Sequence, residues 1–169
     1  FGGQHELEFQ VAEQVQRMVP CAELVRFMSS GTEAVQLALR VARGYTGRSK
    51  FVRFDSQFHG WGESVFWGLP PSYTGGDELP AAVPQAAGLT PGAGDEIIAL
   101  PINDLGILRK ALDRHHDEIA AIISSPLPHH VAIQPGYWEE VRRLCDERGI
   151  VFIFDEVVTG FRIAPGGGQ

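Results

Sequence analysis

Lysine is scarce in this chain: Lys50 and Lys110 are the only two, and arginine supplies the rest of the positive charge. The basic residues are scattered and the balance is acidic, with a formal net charge of -7 at pH 7, which argues against a nucleic-acid surface. Cysteine is nearly absent as well. Cys21 and Cys145 stand far apart, one after a helical pattern and one inside another, so neither a disulfide framework nor a metal site is expected. The N-terminus lacks a basic stretch followed by an apolar core, and no apolar run approaches bilayer-spanning length. The expectation is a cytoplasmic protein with no membrane attachment. The spaced glycines and lysine of a P-loop and the G-x-G-x-x-G of a dinucleotide fold are also missing, which disfavours a nucleotide-binding domain.

What is present is an ordinary globular composition, 44% hydrophobic over 169 residues, enough for one domain with a sizeable core. His5 to Val19 carries Leu7, Val11, Val15 and Met18 at helical spacing, and Pro20 ends the pattern. Strands are expected at Leu24 to Met28, Phe51 to Phe54, Ile97 to Leu100, Ala120 to Ser124 and Ile150 to Phe154. Helices are expected at Thr32 to Tyr45, at Asp104 to His115 with Asn103 as cap, and at Tyr137 to Arg148 with Gly149 as stop. Continuous apolar strands separated by helices imply a three-layer α/β fold, a mostly parallel sheet covered on both faces. Gly68 to Gly94 is rich in Gly, Pro and Ala without periodicity and reads as a long lid or binding loop.

Three short segments carry chemistry. Ser29-Ser30-Gly31-Thr32-Glu33 follows a strand and opens a helix, which makes an anion site of its N–H groups, with the Ser30 and Thr32 hydroxyls as further donors. The plain alternative is a helix cap with Glu33 in the first turn. A single phosphate fits better than a nucleotide. Phe58-His59-Gly60 follows the Phe51 to Phe54 strand at the usual ligand edge of an open α/β sheet. Phe58 there can stack on a planar ring or simply fill core, and His59 can serve a ligand or satisfy a turn. Asp155 ends an apolar strand, so its carboxylate is largely buried and needs a partner. A protonated ring nitrogen would be one, an arginine or local backbone another. Val157 lies on the same side as Asp155. Glu156 reads as structural, and Arg162 is expected to pair with a nearby acid.

Taken in order, these pieces resemble the class III aminotransferases of the fold type I pyridoxal phosphate enzymes, and within them the aminomutases. The resemblance runs over nearly the whole chain. It takes in Phe1-Gly2 with Glu6-Leu7-Glu8, Val25-Arg26-Phe27 into Ser30-Gly31-Thr32-Glu33-Ala34, Ala42 to Arg48, Phe58-His59-Gly60, Pro101-Ile102-Asn103-Asp104, and Leu144-Cys145-Asp146-Glu147 through Phe161-Arg162. It implies an aspartate aminotransferase-like large domain, incomplete here, and pyridoxal 5'-phosphate as cofactor. By that likeness Ser30, Gly31 and Thr32 bind the phosphate, Phe58 and His59 lie at the ring, Asp155 holds the pyridine nitrogen and Val157 packs on the opposite ring face. A homodimer with the cofactor near its interface and a small amino acid or aminoaldehyde substrate are also implied.

The chain departs from that family at several positions. Ser29 stands where the family has Asn, and Phe58 where Tyr is usual. Ser124-Ser125-Pro126 replaces Val-Glu-Pro, so Ser125 removes an acid. His129 and His130 fall in the altered loop that follows, where they either contact substrate or stand in solvent. Neither Lys50 nor Lys110 belongs to a cofactor motif. The Schiff-base lysine and a small C-terminal domain are therefore expected outside residues 1–169, along with an N-terminal segment. The reading is the central part of a pyridoxal phosphate-dependent aminotransferase or aminomutase. The alternative is a catalytically inactive module that keeps the fold for binding or interaction.

Overall fold

The alternation of apolar runs and helical patterns becomes a layered α/β fold. The computed structural model describes residues 3, 5–76, 78–128 and 130–169. Its elements are α1 (Glu6–Met18), α2 (Gly31–Thr46), β1 (Lys50–Phe54), β2 (Trp67–Gly68), β3 (Val83–Pro84), β4 (Ile97–Leu100), α3 (Leu105–Arg114), β5 (Ile119–Ser124), α4 (Tyr137–Arg148) and β6 (Val151–Phe154). Four strands form one sheet in the order β4-β1-β5-β6, every pair parallel. Parallel neighbours need long crossovers, and α3 and α4 supply two of them. Because all four strands run the same way, Asp55, Pro101, Ser125 and Asp155 leave the sheet at a single edge.

The period-two alternation of each strand divides the core. Val52, Phe54, Ile98, Leu100 and Ile122 pack with Leu108 and Leu112 of α3 and with Val141 and Leu144 of α4. Phe51, Ile97, Ala121 and Ile123 pack with Val35, Leu39 and Ala42 of α2 and with Trp67. Burying each such side chain stabilises the fold by about 2 kcal/mol. The three-layer expectation therefore holds. Among the described residues no helix is long and apolar enough to cross a membrane.

Three expectations are corrected. Leu24 to Met28 is not a strand: a strand exists only with a ladder partner, and this segment runs along the surface with Leu24 93% exposed and Phe27 and Met28 exposed too. Asn103 does not cap α3. Asp104 does, its Oδ1 accepting the Ile107 N–H at 2.9 Å. Asn103 instead holds a left-handed backbone (φ 64°), donates from Nδ2 to the Ala132 carbonyl at 2.8 Å and accepts the Gln134 N–H at 3.0 Å. Finally, the stretch from Gly68 to Gly94 is not a structureless loop. Antiparallel pairing of β2 with β3 ties it down, and Ala82, Leu89 and Ala93 pack against the core on the α2 side.

Gly149 stops α4 as the sequence indicates, with a left-handed φ of 61° and its N–H returned to the Asp146 carbonyl. A Cβ there would meet no atom within 4 Å. Gly149→Ala is thus expected to cost only the backbone penalty, about 1 kcal/mol. Equilibrium unfolding in denaturant measures it, and an unchanged or higher stability would contradict the assigned conformation.

Candidate active site at the carboxyl edge of the sheet

The three chemistry-bearing segments converge at the edge where the strands end. His59 Nδ1 lies 2.7 Å from Asp155 Oδ2, across 96 positions of sequence. The histidine side chain is fully buried and the carboxylate nearly so. A buried carboxylate accepts, so the proton of this contact sits on Nδ1 and fixes the imidazole tautomer. The second carboxylate oxygen, Oδ1, accepts the Val157 N–H at 3.1 Å. Asp155 thus has a histidine and local backbone as partners, with no arginine involved. His59 Nε2 is buried and has no hydrogen-bond partner among the described residues.

The start of α2 is the second wall. Ser30 is its N-cap: Oγ accepts the Glu33 N–H at 3.2 Å and donates to Glu33 Oε2 at 3.3 Å. The Ser30 hydroxyl is therefore turned into the capping box. The Gly31 and Thr32 N–H groups remain at the open, positive end of the helix. Thr32 Oγ1 accepts the Trp61 N–H at 3.3 Å and keeps its own hydrogen to donate. Gly31 has a second role in packing, since a Cβ there would stand 2.9 Å from Val157 Cγ2. Its bare backbone lets Val157 nest against the helix start.

Phe58, His59 and Gly60 form the turn that joins these walls. Gly60 has a φ of 92° and sits so close to Thr32 that a Cβ would come within 2.5 Å of Oγ1 and 2.9 Å of Cα. Phe58 is 58% exposed. Its ring meets Trp61 and Phe66 edge-on, with centroids 5.4 and 6.0 Å away. Such T-shaped contacts fix a ring while leaving a face available.

Beside this turn lies a cavity of about 450 Å³ lined by Arg53, Gln57, Phe58, Ser125, His130 and Val158, among others. Gln57 stitches two strand ends together. Its Oε1 accepts the Ser125 N–H at 2.8 Å and the Ser124 hydroxyl at 3.1 Å, and Ser125 Oγ donates to the Asp155 carbonyl at 3.3 Å. Arg53 is 3% exposed, and desolvation pulls its guanidinium down to about 10, opposed by Asp55 through space. Sequence reasoning overlooked both residues. A cation between Val52 and Phe54 in β1 was the available signal for Arg53, whereas nothing in the sequence marks Gln57.

The remaining expected residues have structural partners. Glu156 Oε2 accepts the Thr159 hydroxyl at 2.8 Å and the Gly168 N–H at 2.7 Å, as its structural reading requires. Arg162 does not pair with an acid; it donates to the Val157 and Val158 carbonyls at 2.9 and 2.5 Å, closing the turn after β6. His129, Phe1 and Gly2 lie outside the described residues. Lys50 begins β1 at the opposite end of the sheet and pairs with Glu118, which raises its pKa. Lys110 is on α3, away from the converging segments. Cys145 is buried in α4, its thiol pushed up to about 12 by desolvation, and Cys21 is exposed.

An open helix start, an exposed aromatic ring and a buried carboxylate held by histidine meet at one edge of the sheet. The fold matches a crystal structure of an omega-transaminase from Sphaerobacter thermophilus at a TM-score of 0.89 and 34% identity, over 100% of this chain and 39% of that one. A transaminase with PLP bound matches at 0.85 and 30%, over 99% and 39%. The sequence model of the aminotransferase class-III family covers residues 2–167, and the chain belongs to that family. The glutamate-1-semialdehyde 2,1-aminomutase of Alkaliphilus oremlandii (strain OhILAs) is 40% identical over 172 residues. The match takes in 100% of this chain and 39% of that relative, so the chain spans about two-fifths of the relative's length.

Proposed function

We propose that these residues form the central part of the large domain of a pyridoxal phosphate-dependent aminotransferase or 2,1-aminomutase. It would act on a small amino acid or aminoaldehyde of the glutamate-1-semialdehyde kind. The observation that carries this reading is the buried His59–Asp155 pair beside the open end of α2. A carboxylate at this depth is stable only with partners, and here imidazole and backbone supply them.

The residues present fit the cofactor. The Gly31 and Thr32 N–H groups and the Thr32 hydroxyl would bind its phosphate, Phe58 and Val157 would flank its ring, and Asp155 would hold a proton on the ring nitrogen. When bound, the cofactor supplies an aldehyde that takes up an amino group and a ring that accepts electrons from carbon. His59 orients Asp155 by donating from Nδ1 to Oδ2. Since Lys50 and Lys110 both lie away from this edge, the Schiff-base lysine would come from outside residues 1–169, and a small C-terminal domain and an N-terminal segment would accompany it in a protein of the relative's length. Two such subunits would pair as a homodimer.

The position of both lysines also favours a second reading, an inactive module that retains the fold. Borohydride treatment of the natural protein after incubation with pyridoxal phosphate separates the two. The expected result is one reduced cofactor adduct per chain, on a lysine outside residues 1–169. Intact mass without an adduct would support the inactive module and remove the catalytic reading.

A further inference from the structure

We infer that Gln57 is a positioning residue: its side-chain amide clamps the end of β5 and, through Ser124 and Ser125, fixes Asp155 relative to the Phe58 ring. This assignment rests on the cofactor reading above and adds to it how the contact with the ring nitrogen is kept in place. The β1–β5 ladder ends at the Arg53–Ile123 pair and the β5–β6 ladder at Ser124–Phe154, so the backbone beyond has to find other partners. Gln57 supplies them. Its Oε1 takes the Ser125 N–H, and its Nε2 donates at 3.0 Å to Oγ of Ser124, a fully buried residue. The two serines in turn hold Asp155 by both of its backbone groups. The Asp155 N–H donates to the Ser124 carbonyl at 2.8 Å, and the Asp155 carbonyl accepts from Ser125 Oγ.

These contacts close on themselves. From Asp155 Oδ2 they return through His59 Nδ1 to the segment that carries Gln57, and Phe58 is the residue enclosed between Gln57 and His59. A closed ring of contacts leaves the Phe58 face and the Asp155 carboxylate little freedom to move apart, whereas His59 alone would tether them at one point. Arg53 anchors the ring on the β1 side by donating from Nη2 to the Gln57 carbonyl. Ser124 and Ser125 stand where the family has Val and Glu, neither of which offers a hydroxyl, so the clamp is particular to this chain. A ligand that must meet an aromatic face and a carboxylate at once binds less well when the two drift, and a misplacement of about 1 Å is already costly.

The test titrates the full-length natural protein, freed of cofactor, with pyridoxal 5'-phosphate and with its 1-deaza analogue, in which carbon replaces the ring nitrogen and Asp155 has nothing to hold. Gln57→Met keeps the bulk and removes every hydrogen bond of the amide. Gln57→Glu keeps an oxygen that accepts the Ser125 N–H, and Ser125→Ala removes only the hydroxyl on the Asp155 carbonyl. Gln57→Met is expected to weaken pyridoxal phosphate binding about tenfold and to leave the analogue within about twofold, with Gln57→Glu recovering most of the loss. Ser125→Ala is expected to show the same selectivity at about threefold, and its result stands in for Gln57→Met if that variant does not fold. Equal losses for the two ligands, or none, make Gln57 a structural residue only and overturn the assignment, as does a Gln57→Glu variant that binds no better than Gln57→Met. An unmodified protein that binds both ligands equally makes no contact between Asp155 and the ring nitrogen, and one that binds neither is no cofactor domain. Either result overturns the functional reading itself, and the positioning role with it.

Discussion

Replacing Asp155 by alanine is expected to lower kcat/KM of the natural protein about 10³-fold, the scale of losing a positioned proton-holding group. The same change destabilises the fold by about 3 kcal/mol, because it leaves His59 buried with Nδ1 unpaired. The two effects separate in Asp155→Asn. The two donors meet different carboxylate oxygens, so the single amide oxygen keeps one of the bonds from His59 Nδ1 and the Val157 N–H and loses the other, and stability should fall by about 2 kcal/mol, less than with alanine. The amide carries no charge to hold a proton on a ring nitrogen, so activity falls as it does with alanine. Steady-state kinetics and denaturant unfolding on both variants provide the check. An active, stable Asn variant would reduce Asp155 to a structural residue.

Gly60→Ala is expected to destabilise by about 3 kcal/mol, from two terms that add. A left-handed backbone costs any L-residue about 1 kcal/mol, and forced overlap in a packed region costs about 2 more. The overlap cannot relax cheaply, since the added Cβ would stand 2.9 Å from the Thr32 Cα, which is backbone at the start of α2. Relief would require the 58–61 turn to lift from the helix, moving Phe58 and His59 together. Cofactor affinity should therefore drop along with the unfolding midpoint, and Gly60→Ala with native affinity would refute the close docking of turn on helix.

How much of this could be read in the sequence depends on what each feature needs. Ile97 to Leu100 and Tyr137 to Arg148 were legible to the residue because continuous apolar runs and helical periodicity are local properties. Leu24 to Met28 carries the same kind of apolar letters and forms no strand, since pairing is decided by neighbours far away in the chain. Asn103 and Asp104 are both good caps, and only the left-handed turn at Asn103 chooses between them. In the site, the residue types at 31, 32, 58, 155 and 157 pointed to an anion and a ring. That His59 is the partner of Asp155 was not legible, because a 96-residue separation leaves no local pattern. Arg162 reaching carbonyls instead of an acid has the same origin: donors in a tight turn take the nearest acceptors.

The wide sequence spacing of the His59–Asp155 pair also bears on how the molecule matures. His59 lies in the turn that follows β1 and Asp155 directly follows β6, two strands that do not touch each other, with β5 between them in the sheet. Neither hairpin closure nor helix formation can bring them together; only the complete β1-β5-β6 ladder does. Long-range closures of this kind are slow steps in assembly. A partly folded chain can thus possess α2, its cap and even the Phe58 turn, yet hold no charge poised for chemistry. The contact between His59 and Asp155 is therefore expected to form late, with the completed sheet.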